Sequence, residues 1–196
     1  MLSSENARFK LAVELRRAGL PLGEIFSFIS GLYFRGKMAY ATTFADAPRG
    51  MPGALVITAC GGLLPVDTVV TLDLLREISS APIHHAEPRY RVPLERDAKA
   101  LEQAAGPDCE VVLLGSIATP KYVEPLLSIF GERLMFPIEF VGRGDMSRGG
   151  LMLRCARSGE QLEYVPVATA VRHGSRPPKL PKLPRAPKQS GPIDSA

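Results

Sequence analysis

The chain has no tryptophan and only three cysteines and three histidines in 196 residues. Cys60, Cys109 and Cys155 are odd in number and far apart, and none has a histidine at metal-ligand spacing. Neither a disulfide framework nor a zinc site is therefore expected. Long apolar runs are missing as well. The opening MLSSENARFKLAVELRRAG is broken by Glu5, Arg8, Lys10, Glu14, Arg16 and Arg17, so it holds neither the apolar region of a secretory signal nor a membrane span. A reducing cytoplasm and no membrane contact are the expectations. No Gly-Lys-Ser/Thr follows a glycine loop and no dinucleotide fingerprint follows an early strand, so no cofactor is expected.

What is present is an ordinary globular composition, 45% hydrophobic and 22% charged, with an excess of 18 prolines. The length suits a single domain with a tail. The net charge of +4 is unevenly placed: from residue 172 onward six basic side chains face Asp194 alone, while the preceding residues carry 18 basic and 19 acidic groups. The basic character thus belongs to a Pro-rich tail, KLPKLPRAPK at its centre, which cannot bury a core and suits weak polyanion contact by counterion release. The expected division is one α/β domain over residues 1–171, whose first 50 residues are mainly helical, and a disordered basic tail over 172–196.

Periodicity organises the body. Apolar residues at helical spacing predict a helix over 6–18, stopped by Gly19 and Pro21, and further helical segments from Leu22 to Phe44. Residues 54–60, ALVITAC, form a β-branched apolar run ended by Gly61-Gly62, the pattern of a strand buried on both faces of a parallel sheet. Helices are expected over 66–79 and 95–105, a second buried strand over 110–116, a helix starting at Thr119-Pro120, and an edge strand over 134–140 because of Pro137. Residues 147–165 fit either a helix closed by Gly159 or a hairpin, and the spacing of Leu151 and Cys155 favours the helix. Strands alternating with helices predict a three-layer, open, mostly parallel sheet of Rossmann-like type.

In such a sheet ligands bind beyond the carboxyl ends of the strands. Three stretches qualify: Cys60-Gly61-Gly62, the loop containing Ser116, and Val141 to Gly150. The last is the most informative, since Arg143, Gly144, Ser147, Arg148, Gly149 and Gly150 combine open backbone amides, two guanidinium groups and a helix start into an anion cradle. The plainer alternative is a glycine turn with solvated arginines. On the cradle reading, Arg148→Lys lowers ligand affinity about tenfold and leaves stability nearly unchanged. Tyr33, Arg35 and Lys37 offer a ring and two cations for the other side of the ligand, against the alternative of a core helix with solvated cations. Asp145, Cys60 and Ser116 are the candidates nearest to chemistry, Asp145 as an ionised base in a cationic loop. Cys60 lacks an obvious activating base, and the adjacent His84 and His85 sit in a long irregular connection.

SGLYFRGK at 30–37, the strand ending in Cys-Gly-Gly at 60–62, Leu-Gly-Ser at 114–116 and GRGDMSRGG at 142–150 together resemble an uncharacterised group of bacterial Rossmann-like α/β proteins. In element order the chain is faintly similar to uracil-DNA-glycosylase-like domains. The Gln-Asp-Pro motif with which glycosylases activate water is absent, so no catalytic residue is carried over. The functional expectation is a domain that binds a phosphorylated, nucleotide-like small molecule, with no reaction identified. The alternative is a non-catalytic nucleic-acid or protein adaptor that works through the basic tail.

Overall fold

The computed structural model of the chain describes residues 8–181. The start of the expected first helix and the tail after residue 181 lie outside the described residues. In chain order the elements are α1 (Lys10–Arg17), β1 (Leu20–Pro21), α2 (Leu22–Ile29), α3 (Gly31–Phe44), β2 (Leu55–Ile57), β3 (Leu63–Pro65), β4 (Val69–Val70) and α4 (Leu72–Ile78). Then come α5 (Pro88–Ala105), β5 (Val111–Val112), α6 (Pro120–Phe130), β6 (Leu134–Pro137), α7 (Asp145–Ser158) and β7 (Tyr164–Pro166), with short 3-10 turns on either side of β6.

The expected open, mostly parallel sheet is not formed. Instead the described residues form three small sheets: β1 with β4, β2 with β3, and β5-β6-β7. Among the described residues only β5 and β6 run parallel. The reason lies at Gly61-Gly62. The ALVITAC run does not pass into a helix; it turns back on itself, pairing Leu55 with Pro65, Val56 with Leu64 and Ile57 with Leu63. Thr58 closes that turn, its Oγ1 donating to Gly62 O at 3.0 Å and accepting from Gly61 N at 2.9 Å. Gly62, at φ 71°, has Asp97 where a Cβ would stand, so the turn packs against α5 and only glycine fits.

Other boundaries shift for identifiable reasons. Of the expected helix over 66–79, only residues from Leu72 are helical, because Thr71 caps there by accepting from Leu74 N at 3.3 Å. The helix expected over 95–105 begins earlier, at Pro88, with the Glu87 side chain accepting from Arg89 N. Pro93 inside α5 and Pro125 inside α6 are both tolerated. The strand with Pro137 is central rather than an edge. It is buried at all four positions, and the proline falls at its last residue, opposite Tyr164. Of residues 147–165, those up to Ser158 are helical, in α7, which Gly159 closes in the left-handed region, and Tyr164 already begins β7.

Two apolar clusters hold the elements. One joins α1, α2 and α4 through Ala12, Leu15, Leu22, Ile25, Val70 and Leu75. The larger joins α5, α6, α7 and the three-stranded sheet through Tyr90, Leu94, Phe130, Phe136, Phe140 and Met152. Between them runs α3, whose Tyr40 belongs to the larger cluster while Phe34 packs on the smaller. Backbone contact binds α3 to α7: a Cβ on Gly36 would lie 2.6 Å from Gly149 O, and one on Gly149 would lie 2.7 Å from Leu32 O.

Candidate anion-binding cleft

The outer edges of β2 and β5 do not pair with each other, and a cleft of about 980 Å³ separates them. Helix α3 covers it. Tyr33, Lys37, Tyr40, Ala41 and Phe44 all line the cleft, and their spacing of i, i+4, i+7, i+8 and i+11 puts them on one helical stripe. Most of the wall is apolar. The charges gather at the ends, with Asp46, Asp108 and Glu110 where β5 begins and Lys37 where it finishes.

At the Lys37 end the side chains are held closely. The Tyr33 hydroxyl donates to Leu114 O at 3.5 Å, which ties α3 to the carboxyl end of β5. Lys37 Nζ lies 4.2 Å from the centre of the Tyr33 ring, and Lys121 Nζ lies 4.8 Å from that of Tyr122. Tyr122 also lines the cleft. Two lysines thus rest on two tyrosine rings at the end of one strand. Burial lowers the Lys37 ammonium to about 8; Asp145 opposes that shift, while Arg148 and Lys121 add to it as like charges. Burial raises Tyr33, opposed by its neighbour Arg148. Lys37 at the end of an apolar cleft therefore has two cations, Arg148 and Lys121, and one carboxylate, Asp145, as its charged neighbours, an arrangement that favours an added negative charge.

The Gly/Arg stretch beside this end is organised differently. Arg148 is buried, and its Nε and Nη2 both donate to Phe140 O, at 3.2 and 3.1 Å, while its guanidinium lies over the Phe140 ring. Asp145 stands 4.0 Å from Arg148 Nη1 and is itself mostly exposed at the first residue of α7. Arg143 donates to Glu139 O at 2.9 Å and to Ser147 Oγ at 3.4 Å. Gly144 precedes α7 and is exposed, whereas Gly149 is buried against α3. Residues 174–181 run across this surface. Gly174 packs on Val141, Arg143 donates to Pro178 O at 3.5 Å, Arg154 donates to Pro181 O, and Leu180 lies against Gly150.

The remaining candidates are dispersed. Cys60 is in the β2–β3 turn, its thiol donating to Glu77 O at 2.7 Å and 3.5 Å from Ser80 Oγ; Gly61 packs on Ile78 of α4. These partners are not shared with Arg143, Ser147 or Arg148, so the Cys60-Gly61-Gly62 stretch does not join the Gly/Arg stretch. Ser116 follows β5 and accepts from Ala118 N at 3.3 Å, in the loop that leads to Tyr122. Arg35 is exposed in a second, smaller groove with Phe28 and Met38, on the face of α3 away from Lys37. His84 and His85 stack on each other at 4.4 Å. Lys121 and Tyr122 escaped the sequence reading, although they sit just after Thr119-Pro120 and repeat the tyrosine–lysine pairing of Tyr33 and Lys37.

Comparison with known proteins adds no assignment: no family model, curated protein or solved structure matches the chain. The resemblance to Rossmann-like and glycosylase-like proteins rests on its motifs alone.

Proposed function

We propose that the chain binds a phosphorylated, nucleotide-like small molecule in the cleft between β2 and β5, with its anionic group on Lys37 and Lys121. The observation that carries this reading is the Lys37 end of the cleft, where Lys37 and Lys121 lie over the rings of Tyr33 and Tyr122 and positive charge outweighs negative. Each lysine rests on a tyrosine ring. An incoming phosphate draws both ammonium groups toward itself through charge-assisted hydrogen bonds, and the ring of the ligand takes the vacated faces of Tyr33 and Tyr122. The apolar wall behind them receives the rest of the molecule. Arg148 acts at one remove, as a buried positive charge whose Nε and Nη2 are already engaged by Phe140 O.

The anion contact is thereby placed on Lys37 rather than on the arginine pair. A bound phosphate favours the charged lysine, so binding is strongest below pH 8 and weakens as the pH rises through that value. Calorimetric titration with a panel of nucleoside monophosphates, pentose phosphates and the matching nucleosides tests the reading. Binding of at least one phosphorylated member is expected, with affinity reduced about tenfold or more by Lys37→Gln. Equal binding of phosphorylated and unphosphorylated members, or indifference to Lys37→Gln, refutes it.

A further inference from the structure

The face of the molecule around α1 and the end of α2 is unusually apolar for a surface. Phe9 is 37% exposed, Val13 45%, Phe28 46% and Ile29 57%. They form a cluster. The Phe9 and Phe28 rings stack at 5.3 Å and 16°, Val13 follows Phe9 by one helical turn, and Ile29 adjoins Phe28. The cluster shares its side with cations: Arg17 stands one turn beyond Val13, and Arg8 and Lys10 flank Phe9, all exposed. The acidic groups nearby in the chain are Glu5, outside the described residues, Glu14, which faces Lys10 at 3.9 Å, and Glu24, against the basic Arg8, Lys10, Arg16 and Arg17.

The other side of α1 explains why this face is left out. Ala12 and Leu15 are fully buried in the smaller apolar cluster, so the helix is anchored by one stripe and shows the opposite stripe to solvent. Apolar side chains ringed by basic ones are the pattern of helices that lie in a lipid interface. A second copy of the chain is a poor partner, because self-docking would bring like charges together.

We propose that this face docks onto an anionic lipid surface, with Phe9, Val13, Phe28 and Ile29 entering the acyl boundary and Arg8, Lys10 and Arg17 holding headgroup phosphates. No described helix is long and apolar enough to cross a membrane, so the contact is superficial. The expectation of no membrane contact came from missing spanning segments, which do not bear on such docking. The proposal is independent of the cleft.

Co-sedimentation of the full chain with phosphatidylcholine vesicles, with and without phosphatidylserine, tests it. Binding is expected only with phosphatidylserine present and should decline with salt. Val13→Ser with Ile29→Ser, and separately Arg8→Glu with Arg17→Glu, should each lower partitioning about tenfold or more while the thermal unfolding midpoint stays put. Because the basic tail also attracts anionic lipid, Lys182→Glu with Lys188→Glu serves as the comparator, and a smaller loss is expected from it. If both surface pairs leave partitioning within about twofold of the parent chain, the tail carries the binding and the proposal fails. Absence of binding at low salt overturns it too, and assigns the patch to a protein partner.

Discussion

Arg148 and Lys37 are both withdrawn from water and feel each other's charge, yet they end in opposite conditions. The guanidinium has a backbone carbonyl, Phe140 O, directly in its fork and an aromatic ring beneath it. The ammonium rests on the face of Tyr33, with Asp145 as a neighbouring opposite charge. Burial of a cation is tolerated where an acceptor meets it; where none does, the charge is destabilised and a ligand can supply what is missing. The difference teaches that a basic residue in a glycine-rich stretch is available to a ligand only if the fold leaves its donors unmet.

The largest expected effect tests the frame that holds both residues in place. Gly149→Ala puts a methyl group 2.7 Å from Leu32 O and 2.8 Å from Tyr33 Cα, so α3 and α7 must separate. A loss of about 3 kcal/mol or more in denaturant unfolding is expected, by overpacking against backbone. A neutral outcome would mean that the two helices are not in backbone contact.

Lys37→Met sharpens the contrast from the ligand side. The folded pKa lies below the unfolded one, so at neutral pH the chain pays to bury a charge that the unfolded state keeps in water. The variant should be more stable than the parent by about 2 kcal/mol below pH 8. That advantage shrinks as pH rises from 8 toward the unfolded value near 10.5, because the parent gains stability as its amine loses its proton. Unfolding measured at several pH values checks both the sign and the window.

Arg148→Lys is the complement, and here the structure reverses the sequence reading. Two donors on one buried carbonyl become at most one, and the planar group over Phe140 is lost. Stability should fall by about 1–2 kcal/mol, whereas ligand affinity should change less than in Lys37→Gln. Unchanged stability with a large loss of affinity would restore the arginine to the ligand.

The smallest effect concerns the segment over the Gly/Arg surface. In Gly174→Ala the added Cβ would lie 2.6 Å from Val141 Cγ1, which lifts residues 174–181 from the loop. Global stability should move by less than about 0.5 kcal/mol, while trypsin should cleave after Lys179, which unlike Arg176 is not followed by proline, several-fold faster. Cleavage at the parent rate would show that the packing of Gly174 does not hold the segment down.

Much of the local structure was legible because its causes are local. The Gly19-Pro21 stop after α1, the Pro120 start of α6 and the Gly159 end of α7 depend on φ restrictions carried by single residues. The stripe of Tyr33, Lys37, Tyr40 and Phe44 was not separated from Arg35, which the fold puts in another groove. The sheet was not legible, since an apolar β-branched run is equally content in a parallel sheet or in a hairpin covered by helices. Strand order is set by which edges meet.

The sequence by itself determined several helix ends, that the first helix is one-sided, and that the chain's positive charge is concentrated in the tail. Only the tertiary structure decided that the β2 run folds back on itself, that the glycines at 36 and 149 serve helix contact, and that Arg148 is bound to a carbonyl while Lys37 is not. The physical reason is that propensity and periodicity act over a few residues, whereas the partner of a strand edge, a buried glycine or a buried cation lies tens of residues away and is chosen by packing.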